Sequence, residues 1–421
     1  MNQPASRTHA TASGAVVGAR SMTGFDLLFL TCLAKAVIPG AVNFIQQPHP
    51  LPGLGLTYEF TPLAGQVSSG LSLMLVAVCL ALIARKKRLL VPPATWLLIA
   101  FAVITQDVTS GLKSSGALAL LQVILVAVTI SSLRPTRAEL RIVGLGAAAI
   151  AVYSLIFAMA MPLNAQFLIG GSGAEGTKAF VGEYVLAGPV THSNTLGIAI
   201  ALGMPFLGLV EGKWVRRALW LVCAVTVLLS ASRTAMIALA GWAAFRLLEV
   251  LVRDFRVRAF RGAVLLVAVG LAAFLPISLS DRSGLSTRVG LWQDSLAAWQ
   301  ESGELLLGIG AQWGADGIAN AIAPTSSAHN LLVQLLVSGG LLLLFVGALV
   351  LFLAAKSAVA ADRFRQRPVL TAYVCVLFVI SSTEYVLPWT VSSQLFPVTG
   401  FVLAALLALQ RPASAQLPER D

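Results

Sequence analysis

Residues 330–355 read NLLVQLLVSGGLLLLFVGALVLFLAA, with no charged side chain, and Lys356 follows at once. A helix needs about 20 consecutive apolar residues to cross the hydrocarbon core of a bilayer. This stretch exceeds that length and reads as a membrane span. Similar runs on either side give predicted spans at about 24–44, 66–84, 92–107, 116–133, 142–161, 193–210, 218–231, 234–250, 263–280, 330–355, 369–387 and 392–410. The whole chain is 421 residues, 57% hydrophobic and only 11% charged, with mean hydropathy +0.85. Soluble domains carry about 25% charged residues. The composition therefore excludes a cytosolic enzyme, a secreted disulfide scaffold and a disordered chain. It predicts an all-α polytopic integral membrane protein of about twelve transmembrane helices.

The net charge of +11 takes its meaning from where the charges sit. The first 22 residues are polar, with Arg7 and Arg20. The first apolar run carries Lys35 and Pro39 and lacks a small-x-small cleavage pattern, so it reads as a retained span. The expected organisation is a cytoplasmic tail at 1–22, one transmembrane domain at 23–410 and a second cytoplasmic tail at 411–421. With the N-terminus inside, 23 of the 29 Lys and Arg residues fall on the cytoplasmic side, in clusters such as Arg85–Arg88 and Arg253–Arg261. Lys35 lies within a span, and five face outward: Lys113, Lys178, Arg233, Arg282 and Arg288. That is the positive-inside asymmetry. The excess charge reports topology, and no basic face with aromatic platforms points to nucleic acid. The cytoplasmic loops are short and hold no Gly-rich phosphate loop, so chemistry is expected on the outer face. Cys32, Cys79, Cys223 and Cys375 lie in separate apolar runs and read as small core residues.

Two outer loops are long, at about 162–192 and 281–329. In the second, Leu285, Val289, Trp292, Leu296 and Trp299 are spaced four, three, four and three apart, one face of an amphipathic helix. Asp281, Ser283 and Ser286 are candidate N-caps and Gly303 a candidate stop. Two Trp on the apolar face suit a helix lying at the membrane interface and sealing the bundle.

The outer face carries ten acidic residues (Glu59, Asp107, Glu175, Glu183, Asp281, Asp294, Glu301, Glu304, Asp316 and Glu384) against five basic ones. It has no general electropositive field, so an anion site must be built locally from a few arginines, whose planar guanidinium groups match phosphate oxygens. Arg233 ends the external turn Ser230-Ala-Ser-Arg-Thr234, on the side that topology depletes of positive charge. A cation there is costly and needs a partner or a role. Arg288 reads equally as a solvated surface arginine or as part of the site. Lys113, in a short outer loop, stays open, and Arg282 and Lys178 read as ordinary loop charges. His329, at the entrance to the tenth span, is either an interface residue or a base able to take a hydroxyl proton near neutral pH. His192-Ser193-Asn194 opens the sixth span, where Ser193 or Asn194 suits an N-cap. His9 and His49 have no supporting motif. No His, Cys and carboxylate grouping has ligand spacing, so neither metal nor cofactor is expected.

Ser230-Ala-Ser-Arg233-Thr-Ala-Met-Ile, Arg288-Val-Gly-Leu-Trp292, Leu307-Gly-Ile-Gly310 and His329-Asn330, with Gly340 after ten intervening residues, resemble in order and spacing the O-antigen ligase/polymerase superfamily. The resemblance covers about 190–345, roughly a third of the chain. Gly188-Pro-Val-Thr-His192-Ser-Asn194 is similar to a His-x-Asn element of polysaccharide polymerases in that superfamily. The resemblance implies a twelve-span inverting glycosyltransferase of the inner membrane. Its donor is a glycan on polyprenyl diphosphate, and it uses neither nucleotide sugar nor metal. Arg233 and Arg288 match the diphosphate-binding arginines and His329 the catalytic histidine. Lys113, Ser232, His192, Asn194 and Asn330 complete the candidate set for binding diphosphate or glycan. The acceptor is lipid A-core oligosaccharide for a ligase, the favoured expectation, and a second carrier-linked glycan for an O-antigen or exopolysaccharide polymerase. A transporter or flippase is the reading from another class. Carriers place their sites near the bilayer midplane, whereas here the candidate interior charges are only Lys35, Glu249 and Glu384.

Overall fold

The computed structural model describes residues 21–49, 59–86, 89, 91–110, 114–168, 179, 184–251, 266–267, 269–270, 273–281, 288–310, 328–362 and 367–410. The protein is mostly helical. Its elements are α1 (Gly24–Gln46), α2 (Pro62–Ala84), α3 (Pro93–Ser110), α4 (Ser114–Leu133), α5 (Arg141–Ala160), the short α6 (Pro162–Ala165), α7 (Ser193–Gly203), α8 (Lys213–Leu229), α9 (Arg233–Leu251), α10 (Arg288–Glu301), α11 (Leu331–Ala361), α12 (Val369–Ser381) and α13 (Gly400–Leu407). A 3-10 turn, Met204–Leu209, continues α7. Helix occupies part of each predicted span, and residues 266–278 are helical wherever described. Among the described residues α1, α2, α5 and α11 are long and apolar enough to cross a membrane, and shorter apolar helices pack with them.

The flanks of this bundle are those of a membrane-embedded protein. Leu73, Ile156, Leu221, Ile237, Phe345 and Phe352 are each at least 60% exposed, far more apolar surface than a soluble monomer leaves open. Inside, hydroxyls turn back on their own helices. Thr31, Ser72, Thr105, Thr129, Ser154 and Thr226 each donate to the carbonyl four residues earlier. A helix can bury a polar side chain this way where no water reaches. The four cysteines are free and buried, as small core residues.

Three local outcomes differ from expectation. The long 162–192 loop contains a two-stranded antiparallel ribbon, β1 (Gln166–Leu168) with β2 (Tyr184–Leu186), in the register Phe167 to Val185. The predicted span 369–387 ends as helix at Ser381. Beyond it, Val386, Leu387, Trp389 and Val391 are buried in irregular chain, tolerable at membrane depth because protein surrounds it. The amphipathic segment begins at Arg288 and is no surface seal. Val289 and Trp292 are fully buried, in a second core with Ile309, Ala328, Val333 and Val337. Of the proposed caps, Ser283 and Ser286 lie outside the described residues. Gly303 stands two residues past the helix with φ +72, as a stop requires.

Gly340 shows why glycine is needed where the chain after α10 meets α11. Helix α11 breaks at Gly339 and Gly340, where Gly340 has φ +62. The chain after α10 threads into the break. Ile309 N donates to Val337 O at 2.8 Å, and the amides of Leu341 and Leu342 donate to Leu305 O and Leu306 O at 3.0 and 3.1 Å. A Cβ on Gly340 would lie 2.3 Å from Leu306 C and O. Glycine is therefore required both for the left-handed backbone and for the close approach.

Candidate functional site

The starts of four helices meet one loop. Helix α7 opens at Ser193, α9 at Arg233, α10 at Arg288 and α11 at Leu331, and the side chains at their first turns reach residues 382–384, just past the end of α12. Glu384 is the hub. It is 7% exposed. Its Oε1 accepts from Arg288 Nη2 and, at 3.3 Å, from Asn194 Nδ2. Its Oε2 lies 2.9 Å from His329 Nδ1. Arg288 Nη1 also donates to Thr234 Oγ1 at 3.4 Å, and Thr234 Oγ1 lies 3.1 Å from Thr383 Oγ1. Each helix N-terminus carries about half a positive charge on its unsatisfied amides. Four of them, with Arg288 and Arg233, give a local field that favours anions even though acidic residues outnumber basic ones in the predicted outer segments.

The local sequence explains each placement. Ser230-Ala-Ser is the hinge between α8 and α9, with Ala231 left-handed at φ +52. Ser230 Oγ donates to Val227 O at 2.7 Å, and Ser232 Oγ accepts from Ala235 N at 3.4 Å, capping α9. Arg233 then begins the helix at the rim. It is exposed and forms no hydrogen bond or ion pair among the described residues. Asn330 caps α11 through its bond from Val333 N at 3.0 Å and donates to Ser382 O at 2.7 Å, tying α11 to the hub loop. His329, immediately before, is left-handed at φ +49 and its side chain stays 32% exposed. Its Nδ1 is held by a carboxylate, which fixes the orientation of the ring.

Among the residues singled out from sequence, Arg288, His329 and Asn194 therefore converge, and Arg233 sits one residue from Thr234, which Arg288 touches. Ser232 and Asn330 are fully buried, and their side chains serve as caps instead of lining a cleft. His192 replaces Ser193 and Asn194 as the N-cap of α7, its Nδ1 accepting from Asn194 N at 3.1 Å. A histidine nitrogen is an acceptor when neutral, so the ring can do what a serine usually does. Lys113, Lys178, Arg282 and His9 lie outside the described residues. Lys35 is buried and donates to Ser68 O and Oγ at 2.8 and 2.6 Å. His49 stacks on Phe44 at 3.5 Å between centroids and bonds Gly188 O at 3.0 Å; burial pushes its pKa down to about 4, which suits a packing role. Among the described residues no three His, Cys, Asp or Glu side chains are grouped to hold a metal ion.

Sequence reasoning missed the role of Glu384. It stood only as one of ten outer acids and as an interior charge. The available signal was a carboxylate inside an apolar run, which is expensive unless paired. A scan against models of protein families and a search of curated proteins each return no match to the chain.

Proposed function

We propose that this chain is an inner-membrane glycosyltransferase that moves a glycan from a polyprenyl diphosphate to lipid A-core oligosaccharide. In this reading twelve spans cross the membrane, both tails are cytoplasmic, and the Glu384 hub faces the periplasm. The convergence of Arg288, His329, Asn194 and Glu384 at four helix N-termini, beside Arg233, carries the proposal.

Glycosyl transfer from the carrier breaks the bond between the anomeric carbon and the diphosphate oxygen and forms one to the acceptor hydroxyl oxygen. The bonding pair leaves with the diphosphate. Charge grows on that leaving group in the transition state, where Arg233, Arg288 and the helix termini stabilise it. The acceptor hydroxyl loses its proton to His329 Nε2, while Glu384 holds Nδ1 and steadies the resulting imidazolium. Attack opposite the diphosphate inverts the anomeric carbon. The activated donor supplies the free energy, so no nucleotide is needed. The apolar flanks leave room for the carrier tail to enter laterally from the lipid.

The test is reconstitution of the purified protein with carrier-linked glycan and one of two acceptors, lipid A-core or a second carrier-linked glycan. A product on lipid A-core supports the ligase. A product on carrier glycan alone selects the polymerase, and transbilayer movement of the donor without a new glycosidic bond selects a transporter and removes the enzyme assignment.

A further inference from the structure

At the other end of the bundle lies a second cluster of positive charge with a different shape. A cavity of about 140 Å³ is lined by Arg216 from the start of α8, Arg246 from α9 and Arg367 just before α12, with Trp220 and Trp242 beside them. The two indole rings stack at 4.4 Å and 14° to form an apolar wall. Trp242 Nε1 is buried without an acceptor among the described residues. Arg216 donates to Val210 O at 3.1 Å and Arg367 to Gly208 O at 3.5 Å. Neither pairs with a carboxylate among the described residues, and both line the same cavity.

Holding like charges together costs free energy unless an anion joins them. Planar guanidinium groups suit tetrahedral phosphate, to which they donate in pairs. The cavity has room for one phosphate with a glycerol-sized substituent. Leu221 and Leu247, next in sequence to Trp220 and Arg246, are 66% and 63% exposed, an apolar surface on which acyl chains can lie. We propose that this cavity binds the phosphate of an anionic phospholipid headgroup from the adjoining leaflet, of the phosphatidylglycerol type. The inference requires only that the bundle sits in a bilayer, and it stands whether or not glycan transfer is correct.

Native mass spectrometry of detergent-purified protein, with phosphatidylglycerol, phosphatidylcholine or inorganic phosphate added, tests it. The wild type should retain phosphatidylglycerol, and the Arg216→Gln/Arg367→Gln variant should retain about tenfold less. Each single variant should fall between, which preserves the test if the double variant does not fold. An Arg85→Gln/Lys86→Gln control, which removes exposed charge away from the cavity, should bind like wild type. Equal retention by the double variant, equal loss in the control, or equal retention of phosphatidylcholine would overturn the site. Inorganic phosphate displacing the lipid at millimolar concentration would overturn the lipid assignment.

Discussion

Asp362 and Glu384 each hold an arginine, one just past the end of the broken helix α11 and the other against His329, just before its start. Asp362 is fully buried. Its two oxygens take Arg137 Nε and the amide of Thr371, each at 2.9 Å, and Arg137 also donates to Arg367 O at 2.6 Å. Burial pushes the carboxyl up, and the Thr371 amide and Arg137 pull it back down. These bonds fasten the α4–α5 connection to the turn between α11 and α12. Glu384 is also buried, yet the side chains it holds are not. Arg288 and His329 remain partly open, and the exposed Arg233, with no hydrogen bond or ion pair among the described residues, stands beside them. A closed ion pair is a clasp. One whose members still face outward, at converging helix termini, is the candidate site.

Removing members of each pair tests that contrast. The largest effect is expected for His329→Ala, which should slow glycan transfer about 100- to 10,000-fold while changing the KM for donor little, because in the proposed mechanism the imidazole acts on the acceptor proton. Glu384→Gln should follow, with a loss of about 100-fold and no loss of folded protein. The conservative variant keeps the shape but no longer stabilises a charged imidazole. Asp362→Ala should act in the opposite sense. Unfolding in detergent should show a loss of about 2 kcal/mol, while transfer per folded molecule stays near wild type. Should Asp362→Ala impair transfer without lowering stability, the clasp reading fails. Gly340→Ala should cost a similar 1–3 kcal/mol by forcing Leu306 out of the helix break, and it should weaken transfer indirectly by shifting α10 and Arg288. Chelator should leave the rate unchanged. A rate that chelator abolishes and metal restores would contradict the arginine-based account.

The sequence already held most of the helices, because apolar runs depend on composition alone. It also singled out Arg233, Arg288 and His329, since each is a costly residue at the end of an apolar run or the start of an amphipathic one. Glu384 was not legible as their partner. It lies 96 residues after Arg288 and 55 after His329, and no local periodicity joins such positions. The apolar stretch around it also hid the end of α12 at Ser381, because buried irregular chain has the same composition as helix. The three-four spacing of Val289, Trp292 and Leu296 defined a face but not what covers it, so a packed helix resembled an interfacial one. Ser232 and Asn330 carried the chemistry of binding residues and the geometry of caps, and only contacts separate the two.

The most direct test of the central claim is transfer by the Arg233→Ala/Arg288→Ala protein, reconstituted with carrier-linked glycan and lipid A-core, alongside its melting curve. The diphosphate-gripping account predicts a product below one-hundredth of the wild-type level from a protein that melts normally. Transfer at the wild-type rate would contradict it.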